Sequence, residues 1–456
     1  MINLSLAALS TLLGLETAAP EAHFQGISTD TRTLQPGNLF VAIKGDNHDA
    51  HLFLDDAQKK GAVAAIVQKL MPSSLPQFLV PDTIKALGAL ALEWRKKFSL
   101  PLVGLTGSVG KTTLKNMIAS ILRAACGNQA EAVLSTQGNF NNHIGLPLTL
   151  SKMNEAHRYA VIEMGMNHFG EISYLTRLAR PTVAIINNAA PAHLQGVNDI
   201  QGVARAKGEI FEGLSPTGIA VLNMDDGQFD FWRALIGDRR CITFGAHPNA
   251  DVHYSLHNSG DPLRQYLTLI TPSERIEVTL PLLGKHNAMN AVAAVAACTA
   301  LQIGPKAIKE GLENMKPESG RLQMHSFSKD IRLIDDTYNA NPVSLQAAIN
   351  VLASFSGQRI LVLGDMKELG ADSLSLHAKM GKAIRQAGID RMFTYGELSA
   401  EVGKNFGGNT THFQDQKILV EAVKKFLQPN TVLLVKGSRF MKMENVVNAL
   451  KDTLST

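Results

Sequence analysis

The chain has 456 residues, 45% apolar and 18% charged, a composition that excludes a disordered protein. At roughly 150 residues per domain, its length implies about three domains. Its 44 Lys and Arg against 40 Asp and Glu leave a net charge of +4, spread along the chain without the basic block that nucleic-acid binding needs.

The N-terminal stretch MINLSLAALSTLLGLETAAP has an apolar middle. No Lys or Arg precedes it as a secretory signal requires, and the spacing of Leu4, Leu9, Leu12 and Leu13 predicts an amphipathic helix instead. No run reaches the roughly 18 apolar residues of a membrane helix. Cys126, Cys241 and Cys298 are far apart and form no CxxC, which argues against a disulfide framework and suits a reducing cytoplasm.

Up to residue 97 the pattern is mixed α/β. LFVAIKG and AVAAIVQ predict short buried strands, and DTIKALGALALEWRKKF predicts a helix. From residue 98, an apolar strand, a Gly-rich loop and a long amphipathic helix follow one another in LPLVGLTGSVGKTTLKNMIASILRAA. YAVIEMG, TVAIINNAA, GIAVLN and RCITFG predict further strands separated by helical stretches, the pattern of a doubly wound, mostly parallel sheet. NAMNAVAAVAACTALQ predicts an Ala-rich helix buried between layers. After residue 316 the alternation restarts, with no second phosphate loop. The expected architecture is α/β in three domains: 1–97, a central P-loop domain 98–316, and a Rossmann-like domain 317–456.

The strongest local signal is Thr106, Gly107, Ser108, Val109, Gly110, Lys111, Thr112 and Thr113 between a strand and a helix. Backbone N–H groups of such a loop form an anion nest at a helix N-terminus. Lys111 adds a mobile charge for the β- and γ-phosphates, and Thr112 a hydroxyl for Mg²⁺. The usual first glycine of the pattern is Leu105 here, so this is a variant loop that predicts ATP or GTP. Glu163 and His193 each follow a strand at what should be the carboxyl end of the sheet, where ligands collect. Lys207 falls on a predicted helix. Singly, each has an ordinary reading as a loop or surface residue. The alternation Asp46, His48, Asp49, His51 is tempting as a metal site, but it lies far from the loop in a Gly-rich turn.

The ordered motifs TGSVGKTT, QGNFNNHIGLP, EMGMNHFGEI, NNAAPAHLQG, ARAKGEIF, LLGKHNAMNA, Gly320-Arg321, DDTYNANP, VLGDMKELG and KGSR span nearly the whole chain. In this order they resemble the Mur ligases, ATP-dependent amide-forming enzymes of cell-wall precursor synthesis. DDTYNANP and VLGDMKELG are most similar to the member that adds D-alanyl-D-alanine to UDP-N-acetylmuramoyl-tripeptide.

The resemblance implies an N-terminal domain that holds the UDP end of the substrate, with Ser28, Thr29 and Arg32 as uridine or phosphate contacts. It implies two Mg²⁺ ions, one on Thr112 and Glu163 and the other on His193, with Lys207 carried as a carbamate that serves as a metal ligand. Lys111, Lys207 and His193 would be the catalytic set. Asn287 and Asn290 would meet adenine, although Asn287 also reads as a helix cap. Arg321 and Asp336 would reach the phosphates and ribose of ATP from the C-terminal domain, closing over the nucleotide. Asn141, Asn142 and Glu171 would face the acyl substrate, and Asn339 and Asn341 the amine. Lys436 and Arg439 read equally well as surface charges. The expected reaction runs through an acyl phosphate in a cytoplasmic monomer without membrane insertion. Alternatives are a ligase for a single amino acid, disfavoured by the lack of an Asp-Asn-Pro-Arg string, and a P-loop regulatory switch, disfavoured by the lack of an N-K-x-D string.

Overall fold

The computed structural model describes residues 1–15, 21–190, 194–257, 263–367 and 369–455. Among these, the strands form five sheets. The N-terminal unit carries a parallel sheet in the order Ile27–Ser28, Leu39–Val41, Ala64–Val67, Gln77–Leu79. The predicted N-terminal helix is Leu6–Leu12, and the strand Asn3–Ser5 before it pairs antiparallel with His23–Gln25. Among the described residues no helix is long and apolar enough to cross a membrane.

The helix Thr83–Lys96 starts where the Asp82 carboxylate accepts from the N–H groups of Ile84 and Lys85. Its far end is fastened to the next unit. Trp94 Nε1 donates to the Met153 carbonyl at 2.9 Å, and Arg95 Nε to the Ala179 carbonyl at 3.0 Å. One apolar core runs from Ile2 and Leu87 through to Leu175 and Trp232, so the first two units share a core across residue 97.

The central sheet has six parallel strands in the order Arg240–Phe244, Ile219–Asn223, Val183–Ile186, Leu102–Thr106, Tyr159–Glu163, Val133–Ser135. All but the first of these strands are close to wholly buried, as a parallel sheet covered on both faces requires. The Ala-rich helix Lys285–Ala300 packs against the helix Lys111–Ala125 in the layer over one face. Its small side chains leave room for a feature the sequence reading did not anticipate. The antiparallel strands His253–His257, Gln265–Ile270 and Arg275–Leu280 bury Leu267, Leu269, Ile276 and Val278 on that layer.

The C-terminal sheet is ordered Gln323–Phe327, Ile331–Asp336, Thr431–Lys436, Gln358–Gly364, Arg391–Tyr395, Thr410–Phe413. Only its first strand is antiparallel to its neighbour. The fold is thus the expected α/β arrangement: a central P-loop sheet flanked by a smaller N-terminal unit and a Rossmann-like C-terminal one.

Candidate active site

Strand register brings the central chemistry together. Glu163 pairs with Leu105 and Ile186 with Thr106, so Thr106, Glu163 and Asn187 emerge side by side at the carboxyl edge of the sheet. The loop 107–110 leaves from there, and Gly110 caps the helix Lys111–Ala125 at φ +80.

Three asparagines form a wall behind this loop. Asn188 Oδ1 accepts from the N–H groups of Ser108 and Val109 at 3.1 and 3.0 Å. The amides of Asn187 and Asn188 donate to the Val109 carbonyl at 3.1 and 3.0 Å, and Asn187 also donates to Asn290 Oδ1 at 2.9 Å. A trans peptide places its N–H opposite its C=O, so the Gly110 N–H is turned away from the asparagines. A methyl group at Gly110 would lie 2.7 Å from Asn290 Oδ1 and 2.9 Å from Asn187 Nδ2. With the added cost of a left-handed φ, Gly110→Ala is expected to weaken ATP binding about tenfold, as titration calorimetry would report.

Lys111 Nζ donates to the carbonyls of Gly107 and Ser108 at 2.7 and 3.4 Å. Burial lowers its pKa; the nearby Glu163 carboxylate opposes that shift and Arg321 adds to it. Glu163 is buried. Its Oε1 accepts from Asn141 Nδ2 at 2.8 Å, while Oε2 is buried with no partner among the described residues. A buried carboxylate oxygen left without a hydrogen-bond partner could serve a cation. Lys207 is buried on the helix Ile200–Gly208, which Asp199 caps. Among the described residues its ammonium has no partner. Burial and the repulsion of Lys111 hold its pKa well below the usual lysine range, against the pull of Asp226. His193 lies outside the described residues.

The C-terminal unit completes the site. Arg321 Nη2 donates to Thr112 Oγ1 at 3.2 Å, and its guanidinium lies 4.1 Å from the centre of the Tyr338 ring. Asp336 is ion-paired to Lys436 at 2.6 Å. Between the two units lies a cavity of about 460 Å³, within the range of small-molecule clefts. Its lining includes the loop residues Ser108–Thr113 with Asn141 and Glu163, and also Met289, Leu322, Val343, Leu376, Asn287 and His286. Burial brings the His286 pKa down to about 4, so its imidazole is neutral at neutral pH.

Several residues singled out in the sequence have local structural work. Asn290 is buried and bonded to Asn187 and Asn287, so its amide braces the phosphate loop. Asn287 lines the cavity and does not cap its helix, which starts at Gly284; its amide donates to the Leu283 carbonyl. Asn142 Oδ1 accepts from the N–H groups of Ile144 and Gly145 at the start of the helix Gly145–Leu150 and does not line the cavity. Glu171 accepts from the N–H groups of Asn167 and His168. Asn341 lines the cavity and caps the helix Pro342–Ala353 through a reciprocal bond with Ser344. Asn339 lines it too. Ser28, Thr29 and Arg32 lie apart in the N-terminal unit, where exposed Arg32 is ion-paired to Asp30. His51 has both ring nitrogens engaged, with Asp49 at 2.6 Å and the Gln68 N–H at 2.9 Å. Lys436 is buried, whereas Arg439 is an exposed partner of Glu444.

Sequence reasoning missed Asn187, Asn188, His286 and Tyr338. The first two had a signal: they directly follow a central strand, at the same sheet edge as the phosphate loop.

Comparison with known proteins agrees with this geometry. The Mur ligase middle domain matches residues 105–298, and the Mur ligase glutamate ligase domain matches residues 320–439. The UDP-N-acetylmuramoyl-tripeptide–D-alanyl-D-alanine ligase of Haemophilus influenzae is 43% identical over 100% of both chains. The enzyme of the same name from Escherichia coli is 42% identical over 99% of both. The crystal structure of MurF from Acinetobacter baumannii superposes with a TM-score of 0.92 at 32% identity, covering 99% of each chain. That of MurF ligase from Thermotoga maritima in complex with ADP gives 0.84 at 26% identity, covering 94% of this chain and 98% of the other. A phosphate loop backed by asparagines, faced by an arginine from a second α/β unit and matched along its full length by such relatives, makes this chain a member of the Mur ligase family.

Proposed function

We propose that the chain joins D-alanyl-D-alanine to the terminal carboxylate of UDP-N-acetylmuramoyl-tripeptide, with ATP cleaved to ADP and phosphate. The observation that carries this reading is that the phosphate loop and the loop Tyr338–Asn341 line one cavity from opposite sides. On this reading phosphoryl donor and incoming amine would meet in one cleft. The full-length likeness to ligases named for these two substrates supplies the chemical identities.

A carboxylate does not react with an amine, because its oxygen is a poor leaving group. In the proposed sequence a carboxylate oxygen attacks the γ-phosphorus, ADP departs, and an acyl phosphate forms. The dipeptide amine then attacks the carbonyl carbon, a tetrahedral intermediate collapses, and phosphate leaves with the original carboxylate oxygen. Lys111 is suited to the first step. Its ammonium needs only to leave two carbonyls of its own loop to meet the γ-phosphoryl oxygens, and Arg321 adds a second cation from the facing unit. Closure of the two units over the site would keep water from the acyl phosphate.

Thr112 and Glu163 would hold a Mg²⁺ ion, which would neutralise charge on the phosphoryl group in transfer. The unpartnered Glu163 oxygen supports that assignment; His193 is the proposed ligand of a second ion. Lys207 is proposed to carry a carbamate. Its buried, unpaired amine is unprotonated far more readily than an exposed lysine, and only the neutral amine adds CO₂, releasing one proton. The product is a carboxylate where a cation would otherwise repel Lys111. On this reading Ser28, Thr29 and Arg32 hold the UDP end, with Arg32 exchanging Asp30 for a phosphate, and the enzyme works in the cytoplasm as a monomer.

The test is phosphate release with ATP and UDP-N-acetylmuramoyl-tripeptide, comparing amines. Turnover is expected with D-alanyl-D-alanine and not with D-alanine or diaminopimelate. Turnover only with diaminopimelate would assign a different ligase, and ATP cleavage needing neither substrate would point to a switch.

A further inference from the structure

Lys436 ends the strand Thr431–Lys436, in the middle of the C-terminal sheet, directly opposite Asp336 on the neighbouring parallel strand. It is 1% exposed. A buried ammonium is costly unless paired, and the two partners here belong to different subsites. Its Nζ donates to Asp336 Oδ2 at 2.6 Å and to the Asn339 carbonyl at 2.9 Å.

Each partner leads to a substrate. Asp336 Oδ1 accepts from the Leu322 N–H at 3.2 Å. Leu322 sits at φ +49, a conformation unfavourable for a side-chain-bearing residue, so this bond helps to fix the turn Gly320–Leu322. That turn carries Arg321 to Thr112 in the phosphate loop. On the other side, the Asn339 carbonyl belongs to the loop that faces the incoming amine, and it leads directly into the Asn341 cap.

We propose that Lys436 is a positioning residue that couples the nucleotide and amine subsites, holding Asp336 and Asn339 in one register. The inference rests on the ligase reading above for the identity of the amine. Lys436 lines the cavity as well, but its ammonium is taken up by Asp336 and Asn339, so its removal should be felt in binding at both subsites.

The experiment is steady-state kinetics of full-length Lys436→Met with each of three substrates varied, together with calorimetric ATP binding. KM for ATP and for D-alanyl-D-alanine should rise together, each about tenfold or more, with KM for UDP-N-acetylmuramoyl-tripeptide unmoved. Lys436→Arg, which keeps the charge, should recover part of both losses. A rise in only one of the two constants, or a fall in kcat with both constants unchanged, would overturn the coupling. Should Lys436→Met not fold, the double variant Asp336→Asn, Lys436→Met has no unpaired buried charge and is compared with Asp336→Asn alone. The lysine should then add no more than about a twofold loss of ATP affinity; a larger added loss means that it meets the nucleotide itself. A wild-type enzyme that binds ATP but ignores D-alanyl-D-alanine would sink the ligase reading, and the ATP titrations would still judge the lysine.

Discussion

Lys111→Met is expected to lower the rate of phosphate release at saturating substrates about 10²- to 10³-fold or more, because a cation aimed at developing charge in an enclosed site is worth that much. The loss should fall on kcat, since the charge on the moving phosphoryl group is greatest in transfer. KM for the UDP substrate should hold steady, as the proposed UDP contacts belong to a different unit. Thermal stability should change little. Among the described residues the ammonium of Lys111 bonds only to carbonyls of its own loop, and the loop is braced independently by Asn187 and Asn188, with Asn290 behind Asn187. Normal kcat with raised KM for ATP would mean that Lys111 merely binds ground-state nucleotide.

Lys207→Ala should cost about 10²-fold in activity, the upper end of what removing an oriented metal-site group costs. The diagnostic part is rescue. If the working group is a carbamate, formate or acetate should restore part of the activity and methylamine should not. The unmodified enzyme should lose activity in CO₂-free buffer and regain it on adding bicarbonate. The pH dependence follows from the depressed pKa of Lys207. The neutral amine exists down to lower pH than for an exposed lysine, and carbamate occupancy is lost on the acid side as the amine protonates. Rescue by methylamine instead would assign Lys207 a cationic role.

The parts of this site written in local sequence were legible before the fold. The loop 106–113 announces itself because glycine, lysine and threonine must be contiguous to build an anion nest on a helix start. The Ala-rich helix was legible as buried because it has no polar face. Residues that act through register were not. Lys436 looks like any lysine before a glycine until the parallel pairing sets it against Asp336, 100 positions away. Asn187 and Asn188 read as loop residues until the central strand order places them behind the phosphate loop. The resemblance placed Asn142 and Asn290 among the ligand contacts; Asn142 Oδ1 also serves a helix N-terminus, and Asn290 both lines the cavity and holds Asn187. Short polar side chains serve caps as readily as substrates, and only coordinates separate the two uses. The antiparallel strands from His253 to Leu280 escaped notice for a different reason. Their alternation is plain in QYLTLI and RIEVTL, but the parallel pattern around them drew the reading.

In the proposed reaction the tripeptide carboxylate is activated by phosphorylation in the shared cavity. The most direct measurement is isotope transfer: UDP-N-acetylmuramoyl-tripeptide labelled with ¹⁸O in its terminal carboxylate is turned over with ATP and D-alanyl-D-alanine, and the released phosphate is analysed by mass. One labelled oxygen is expected in each phosphate formed from fully labelled carboxylate. Phosphate free of label, with peptide product formed at the normal rate, would contradict it.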